Sequence, residues 1–170
     1  DLIAANDLQA GAICEWVDGT LVEKAMGFHE ATLEAVLIFE FELYLRSHDI
    51  GIIAGPDGVL KILPDLGRAS DLSFFRWESL PGGVQPPTSE RVSAIVPDLV
   101  VEVLSKRNRP AEVARKRGEF FQAGVKLVWE INPRTHEAKA YHSLTAVQHV
   151  ATDGWLDAGA VMPGFRLSLQ

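Results

Sequence analysis

Alternation of apolar and polar residues predicts a β-hairpin near the start of the chain. Residues 13–17 and 20–23 flank Asp18-Gly19, a dipeptide that tolerates the positive φ angles of a tight two-residue turn. From about residue 28 to residue 46, apolar side chains recur at three- and four-residue spacing, which is typical of a helix. This segment is apolar enough that we expect the helix to be largely buried.

Three short strands are predicted in the middle of the chain, at 51–54, 59–63 and 71–75. The first two are joined through Pro56-Asp57-Gly58, a turn tripeptide, and the third follows a loop over residues 64–69. We expect these strands to form the middle of one sheet. A long polar loop rich in proline and glycine then leads to the second half.

Residues 98–104 form a β-branched run that predicts a strand buried on both faces. Pro110 fits the start of a helix that runs to about Ala123, and Gly124 fits its C-terminal stop. Residues 126–131 and 137–141 predict a last hairpin around Asn132-Pro133. The order of elements indicates an α/β or α+β fold, in which helices flank a mixed β-sheet and a hairpin stands at the N-terminal end.

Composition narrows the class of protein. The 170 residues are 47% hydrophobic and 23% charged, which predicts a single globular domain over 1–170 rather than a disordered or coiled-coil chain. No apolar run approaches the roughly 20 residues that a bilayer requires, so we expect no membrane contact. The one cysteine, Cys14, cannot form an internal disulfide and points to a reducing, cytoplasmic compartment.

Charge is distributed unevenly along the chain. The formal net charge of -7 argues against a general nucleic-acid coat. One 12-residue stretch nevertheless carries six basic residues against one acid, Glu112. These residues are Lys106, Arg107, Arg109, Arg115, Lys116 and Arg117. The stretch predicts a local patch that holds DNA phosphates, with a solvated loop and helix face as the alternative.

Two acids stand where apolar strands would exclude them. Glu102 interrupts the run Leu99-Val100-Val101-Glu102-Val103-Leu104, and a buried carboxylate is costly unless it is paired or holds a metal. Asp71 opens another predicted strand. If the two strands are neighbours, Asp71 and Glu102 form an oxygen-rich cluster of the kind that Mg²⁺ or Mn²⁺ prefers. A structural ion pair with an arginine is the alternative.

Several motifs together carry a family resemblance. They are Glu15-Trp16-Val17-Asp18-Gly19-Thr20-Leu21-Val22, Arg68-Ala69-Ser70-Asp71-Leu72-Ser73-Phe74, Pro97-Asp98-Leu99-Val100-Val101-Glu102-Val103-Leu104-Ser105 and Ala123-Gly124-Val125. Over roughly residues 13–167, the chain resembles the bacterial family of putative restriction endonucleases within the PD-(D/E)xK nuclease superfamily. The resemblance implies a restriction-endonuclease-like fold and Mg²⁺-dependent hydrolysis of DNA phosphodiester bonds.

The resemblance also implies roles for individual residues. Asp71 and Glu102 correspond to the metal ligands of the superfamily, and these two acids and Lys116 form the implied catalytic set. Leu104 stands where the superfamily pattern has lysine, so Lys116 on the following helix resembles a migrated replacement. The alternative for Lys116 is an i,i+4 ion pair with Glu112. The chain departs from the family pattern at Ser70, at Lys106-Arg107, at Glu112 and at Glu130.

Four further residues are secondary candidates: His29, Glu30, Glu34 and Asp98. Glu30 and Glu34 lie one turn apart and could supply a helical acid, or form a solvated face. Asp98 follows Pro97 at a strand start, where a carboxylate often accepts hydrogen bonds from loop amides.

A second function class stays open. In this alternative the chain is a non-catalytic DNA- or protein-binding module with a nuclease fold, which includes the case of a homodimer. The acidic net charge favours it.

Overall fold

The computed structural model describes residues 14–23, 27–56, 58–64, 66–87 and 94–170. Strands β1 (Cys14–Val17) and β2 (Thr20–Glu23) form the predicted hairpin, and both turn residues have positive φ. Ile13 and Asp57, which belong to a predicted strand and a predicted turn, lie outside the described residues.

Both predicted helices are confirmed. Helix α1 spans Phe28–Leu45, and helix α2 spans Pro110–Ala123 with proline in its first turn. Gly124 follows α2 at a φ of 108°, a left-handed conformation that glycine adopts without steric cost and that ends the helix. In the described chain, neither helix is both long and apolar enough to cross a membrane.

The remaining strands are β3 (Gly51–Ala54), β4 (Val59–Leu63), β5 (Leu66–Ala69), β6 (Leu72–Arg76), β7 (Leu99–Val103), β8 (Leu127–Asn132), β9 (Glu137–Tyr141), β10 (Val147–Val150), β11 (Trp155–Asp157) and β12 (Arg166–Ser168). Six of them form a sheet in the order β10-β9-β8-β7-β6-β3, in which β7 and β8 are parallel and the other neighbours antiparallel. A second sheet has the order β2-β1-β5-β4, and β11 pairs with β12.

Two expectations for the middle of the chain were wrong. The strands at 51–54, 59–63 and 71–75 were expected to form the middle of one sheet. Instead β3 pairs with β6 and β4 pairs with β5, and β3 and β4 each stand at the edge of a different sheet. Residues 66–69, expected to be loop, form β5, and all four are buried. The sequence Leu66-Gly67-Arg68-Ala69 lacks a strand pattern because it contains a glycine and a charged residue. It forms a buried strand because distant carboxylates neutralise the charge of Arg68.

The central strand β7 is buried on both faces, as its apolar run predicts. Leu99, Val101 and Val103 pack on the face that α1 covers, in a cluster with Leu37 and Phe41. Val100 packs on the opposite face in a cluster with Phe120 of α2. Because side chains alternate along a strand, Glu102 lies on the α2 face. The predicted mixed sheet flanked by helices is confirmed.

Candidate active site

Lys116 of α2 and Glu102 of β7 meet at the end of the central strand. Lys116 Nζ lies 2.9 Å from the Glu102 carboxylate, and both side chains are largely buried. The alternative partner for Lys116, Glu112, instead accepts a hydrogen bond from Arg68 at 3.1 Å. Among the described residues, Glu102 forms its ion pair with Lys116, a lysine from the following helix.

Asp71 lies beside Glu102, directly before the neighbouring strand β6. Strands β6 and β7 pair antiparallel with Leu72 opposite Val101, so continuing that register by one position sets Asp71 opposite Glu102. The Asp71 carboxylate accepts a hydrogen bond from Val103 N, and its own N–H donates to Val101 O. These bonds fix Asp71, which is 5% exposed, on the α2 face of the sheet.

Lys116 has two further partners at the same point. Its Nζ donates to Ala69 O at 2.9 Å and lies 3.0 Å from Glu15 Oε1. Burial works to lower the pKa of Lys116, but the carboxylates of Glu102, Glu15 and Asp71 outweigh it and raise that pKa above its usual range. Lys116 is therefore an ammonium at neutral pH.

These residues line one cleft of about 450 Å³ between β7, α2 and the start of α1. Among the described residues that line it, seven are acids, and we name it the acidic cleft. They are Glu15, Glu30, Glu34, Asp71, Glu102, Glu112 and Glu130. The structure thus brings the secondary candidates Glu30 and Glu34 together with Asp71, Glu102 and Lys116, and Glu34 is buried.

The other two secondary candidates lie outside the acidic cleft. His29 is exposed on α1 and does not line it. Asp98 accepts hydrogen bonds from Arg76 N at 2.8 Å and from Ser79 Oγ at 2.9 Å, and Lys126 Nζ lies 2.7 Å from it. At about 3.3 Å per residue, its four-residue separation from Glu102 amounts to about 13 Å along the strand. Asp98 holds the loop that precedes β7.

The basic stretch divides into two parts. Arg115 pairs with Asp18 at 2.7 Å and with Glu119 at 2.8 Å, and Arg117 pairs with the buried Glu130 and stacks over Tyr141. In the described part of the chain, Lys106, Arg107 and Arg109 form no ion pair, and all three are exposed on the loop before α2. Arg107 and Arg109 also line the acidic cleft.

Two residues of the site were missed in the sequence. Glu15 was assigned only to the hairpin, and Arg68 only to the loop that is in fact β5. Arg68 is 1% exposed and contacts three carboxylates, those of Glu15 at 2.7 Å, Glu112 at 3.1 Å and Glu119 at 2.6 Å. Glu15 interrupts the apolar run of β1 as Glu102 interrupts that of β7, and the same argument from burial cost could have found it.

The oxygen donors of the cleft suit a hard divalent cation. Within the described residues no group of three or more His, Cys, Asp or Glu side chains gathers as a metal cage. Mg²⁺ is usually held by only one or two carboxylates, together with water and substrate phosphate. Asp71 and Glu102, side by side on adjacent strands, match that requirement.

Comparisons with known proteins bear on the family and the fold of the chain. The family model Uma2, described as putative restriction endonuclease, matches residues 4–170. Among solved structures, the chain is similar to a crystal structure described as a putative nuclease belonging to DUF820 from Anabaena variabilis. The TM-score is 0.78 and the identity 16%, over 92% of this chain and 87% of that chain. At this identity the likeness shows the fold alone, and it confirms the restriction-endonuclease-like class. No curated protein matches this chain.

Proposed function

Because this chain belongs to the Uma2 family of putative restriction endonucleases, we propose that it is a Mg²⁺-dependent endonuclease that hydrolyses DNA phosphodiester bonds in the acidic cleft. The observation that carries the proposal is the meeting of Lys116 and Glu102, 2.9 Å apart, beside Asp71 on the adjacent strand. Two carboxylates and one ammonium at the end of paired strands suit the hydrolysis of a phosphodiester, because negative charge must be both anchored and neutralised.

Asp71 and Glu102 would hold the cation, with Mn²⁺ as a substitute for Mg²⁺. When bound, the ion lowers the pKa of a water molecule and neutralises charge on the scissile phosphate. The hydrogen bond from Val103 N keeps the Asp71 carboxylate oriented. The backbone of β7 therefore positions Asp71, and the same strand carries the second ligand, Glu102.

Lys116 would act as a hydrogen-bond donor rather than a base. The surrounding carboxylates raise its pKa, and its three N–H donors face Glu15, Glu102 and the Ala69 carbonyl, which suits a hydrogen-bond donor. A fixed ammonium can orient the attacking water and stabilise the charge that develops on the phosphate oxygens.

The exposed loop that carries Lys106, Arg107 and Arg109 would bind the flanking phosphates. The charges of Arg115 and Arg117 are already neutralised by acids at 2.7 Å or closer, which leaves little attraction for a polyanion. Arg107 and Arg109 border the cleft, so they can guide the DNA backbone towards Lys116 past the surrounding acids.

The test combines cleavage with metal location. Supercoiled plasmid is incubated with the purified chain in Mg²⁺, in Mn²⁺ and in EDTA, and we expect nicked or linear DNA only with metal. In crystals soaked in Mn²⁺, the anomalous signal is expected beside Asp71 and Glu102. Retained DNA binding with neither cleavage nor an anomalous peak would overturn the proposal in favour of the non-catalytic binding module.

A further inference from the structure

Glu15 joins two buried cations through its two carboxylate oxygens. Oε2 accepts a hydrogen bond from Arg68 Nη1 at 2.7 Å, and Oε1 lies 3.0 Å from Lys116 Nζ. Oε1 also accepts a hydrogen bond from Ala69 N at 3.2 Å. A carboxylate that served only to neutralise Arg68 would not need its second oxygen directed at the ammonium.

The contacts of Lys116 separate into two kinds. An ammonium has three N–H donors, and Lys116 has three acceptors, Glu102, Glu15 and Ala69 O. Under the proposed function, Glu102 also serves the metal. Glu15 and the Ala69 carbonyl are then the two acceptors of Lys116 that the metal does not share, and they fix a flexible four-carbon side chain.

Arg68 makes Glu15 a rigid support. Its Nε donates to Glu119 at 2.7 Å, and its Nη2 donates to Glu112 at 3.1 Å. The guanidinium is planar and holds its donors in a fixed fork, so pairing on several sides leaves it little freedom. Glu15 is consequently held between β5 and α2.

We propose that Glu15, anchored by Arg68, is a positioning residue that holds the Lys116 ammonium beside Glu102. The proposal rests on the proposed nuclease function of the acidic cleft. Glu15 contacts neither substrate nor metal in this assignment, and it acts only through Lys116. Arg68 acts one contact further away, through Glu15.

A double-mutant cycle in plasmid cleavage tests this route. Glu15→Gln is expected to lower kcat at least about 10-fold and to leave KM within about 2-fold of the parent value. The reason is that Lys116, which Glu15 positions, acts in the chemical step after the substrate has bound. Asp98→Asn, which removes a buried carboxylate that pairs with Lys126 rather than with Lys116 or Arg68, is the matched control and should stay within about 3-fold of the parent. In a Lys116→Ala background, Glu15→Gln should reduce the rate by less than about 2-fold further. Full additivity of the two losses would overturn the proposal.

A second readout needs no nuclease activity. Acetylation of Lys116 is followed by mass spectrometry and compared with that of the exposed Lys61 in the same sample. Release from Glu15 should raise the relative rate of acetylation at Lys116 at least about 5-fold in Glu15→Gln, with no change in Asp98→Asn. If Glu15→Gln does not fold, Glu15→Asp takes its place, because it keeps the charge beside Arg68 but shortens the reach to Lys116.

The two readouts keep the two proposals apart. A parent that cleaves no DNA, with faster labelling of Lys116 in the Glu15 variant, would reject the nuclease proposal and support the positioning by Glu15. Unchanged labelling in both Glu15 variants would overturn the positioning, whatever the cleavage assay shows.

Discussion

The Lys116 ammonium lies 2.9 Å from the Glu102 carboxylate, although the two residues stand on different elements separated by the loop that precedes α2. This contact joins the helix to the end of the central strand and places a cation among acids. Removing either partner therefore changes both the chemistry of the acidic cleft and the balance of its buried charge.

Lys116→Ala is expected to slow Mg²⁺-dependent plasmid cleavage by about 100-fold or more, equal to about 2.7 kcal/mol of barrier. It should also lower the free energy of unfolding by about 3 kcal/mol, because Glu15 and Glu102 are left without their shared cation. Initial rates and urea denaturation measure the two effects. Lys61→Ala, on the exposed side of β4, is the control and should change neither. Cleavage by Lys116→Ala at the rate of the parent would show that another cation serves the reaction.

Glu102→Gln is expected to weaken Mn²⁺ binding by about 100-fold, since one of two charged ligands is lost. Titration calorimetry measures the affinity, and Glu42→Gln on the exposed side of α1 is a control of the same chemistry. The amide can still accept a hydrogen bond from Lys116, so the variant should fold. Equal Mn²⁺ affinities for Glu102→Gln and its control would exclude Glu102 as a ligand.

Local patterns account for the parts of the molecule that could be predicted. The β-branched run of β7, the proline and glycine that bound α2, and the Asp18-Gly19 turn each act within a few residues, and each predicted element was found. The charge inside β7 marked Glu102 for the same reason, since the cost of burial is local to the strand.

Contacts between distant segments account for the rest. Arg68 is buried only because Glu15, Glu112 and Glu119 surround it, and these residues lie 53, 44 and 51 positions away. From local sequence alone, residues 66–69 were therefore predicted as part of a loop, although they form β5. The place of Asp71 opposite Glu102 likewise depends on the register of β6 on β7, which neither strand specifies by itself.

The stabilisation from Glu15 is expected to disappear in acid. Burial opposes ionisation, but Lys116 and Arg68 outweigh it and lower the pKa of Glu15 from its ordinary value of 4.5. A group with a lowered folded-state pKa stabilises the fold above its ordinary pKa, and that stabilisation is lost as pH falls through the folded value. At pH 7, urea denaturation should therefore show a gap of about 3 kcal/mol in the free energy of unfolding, with Glu15→Gln less stable than the parent. The gap should narrow below a pH of about 4.5. A constant gap from neutral to acid pH would contradict the lowered pKa.

The salt dependence of DNA binding should distinguish the exposed loop from α2. Each phosphate contact made by Arg107 or Arg109 releases counterions, so Arg107→Ala and Arg109→Ala should each reduce the slope of log K against log salt by about 0.9 on duplex DNA. Arg115 has the same charge six or eight positions along the chain, but Asp18 and Glu119 already neutralise it at 2.7 and 2.8 Å. Arg115→Ala should consequently leave the slope within about 0.3 of the parent value. Fluorescence anisotropy with a labelled duplex in EDTA measures all three variants without cleavage. A loss of slope in Arg115→Ala equal to that in the loop variants would mean that its ion pairs open on binding, and that α2 binds the phosphates together with the loop.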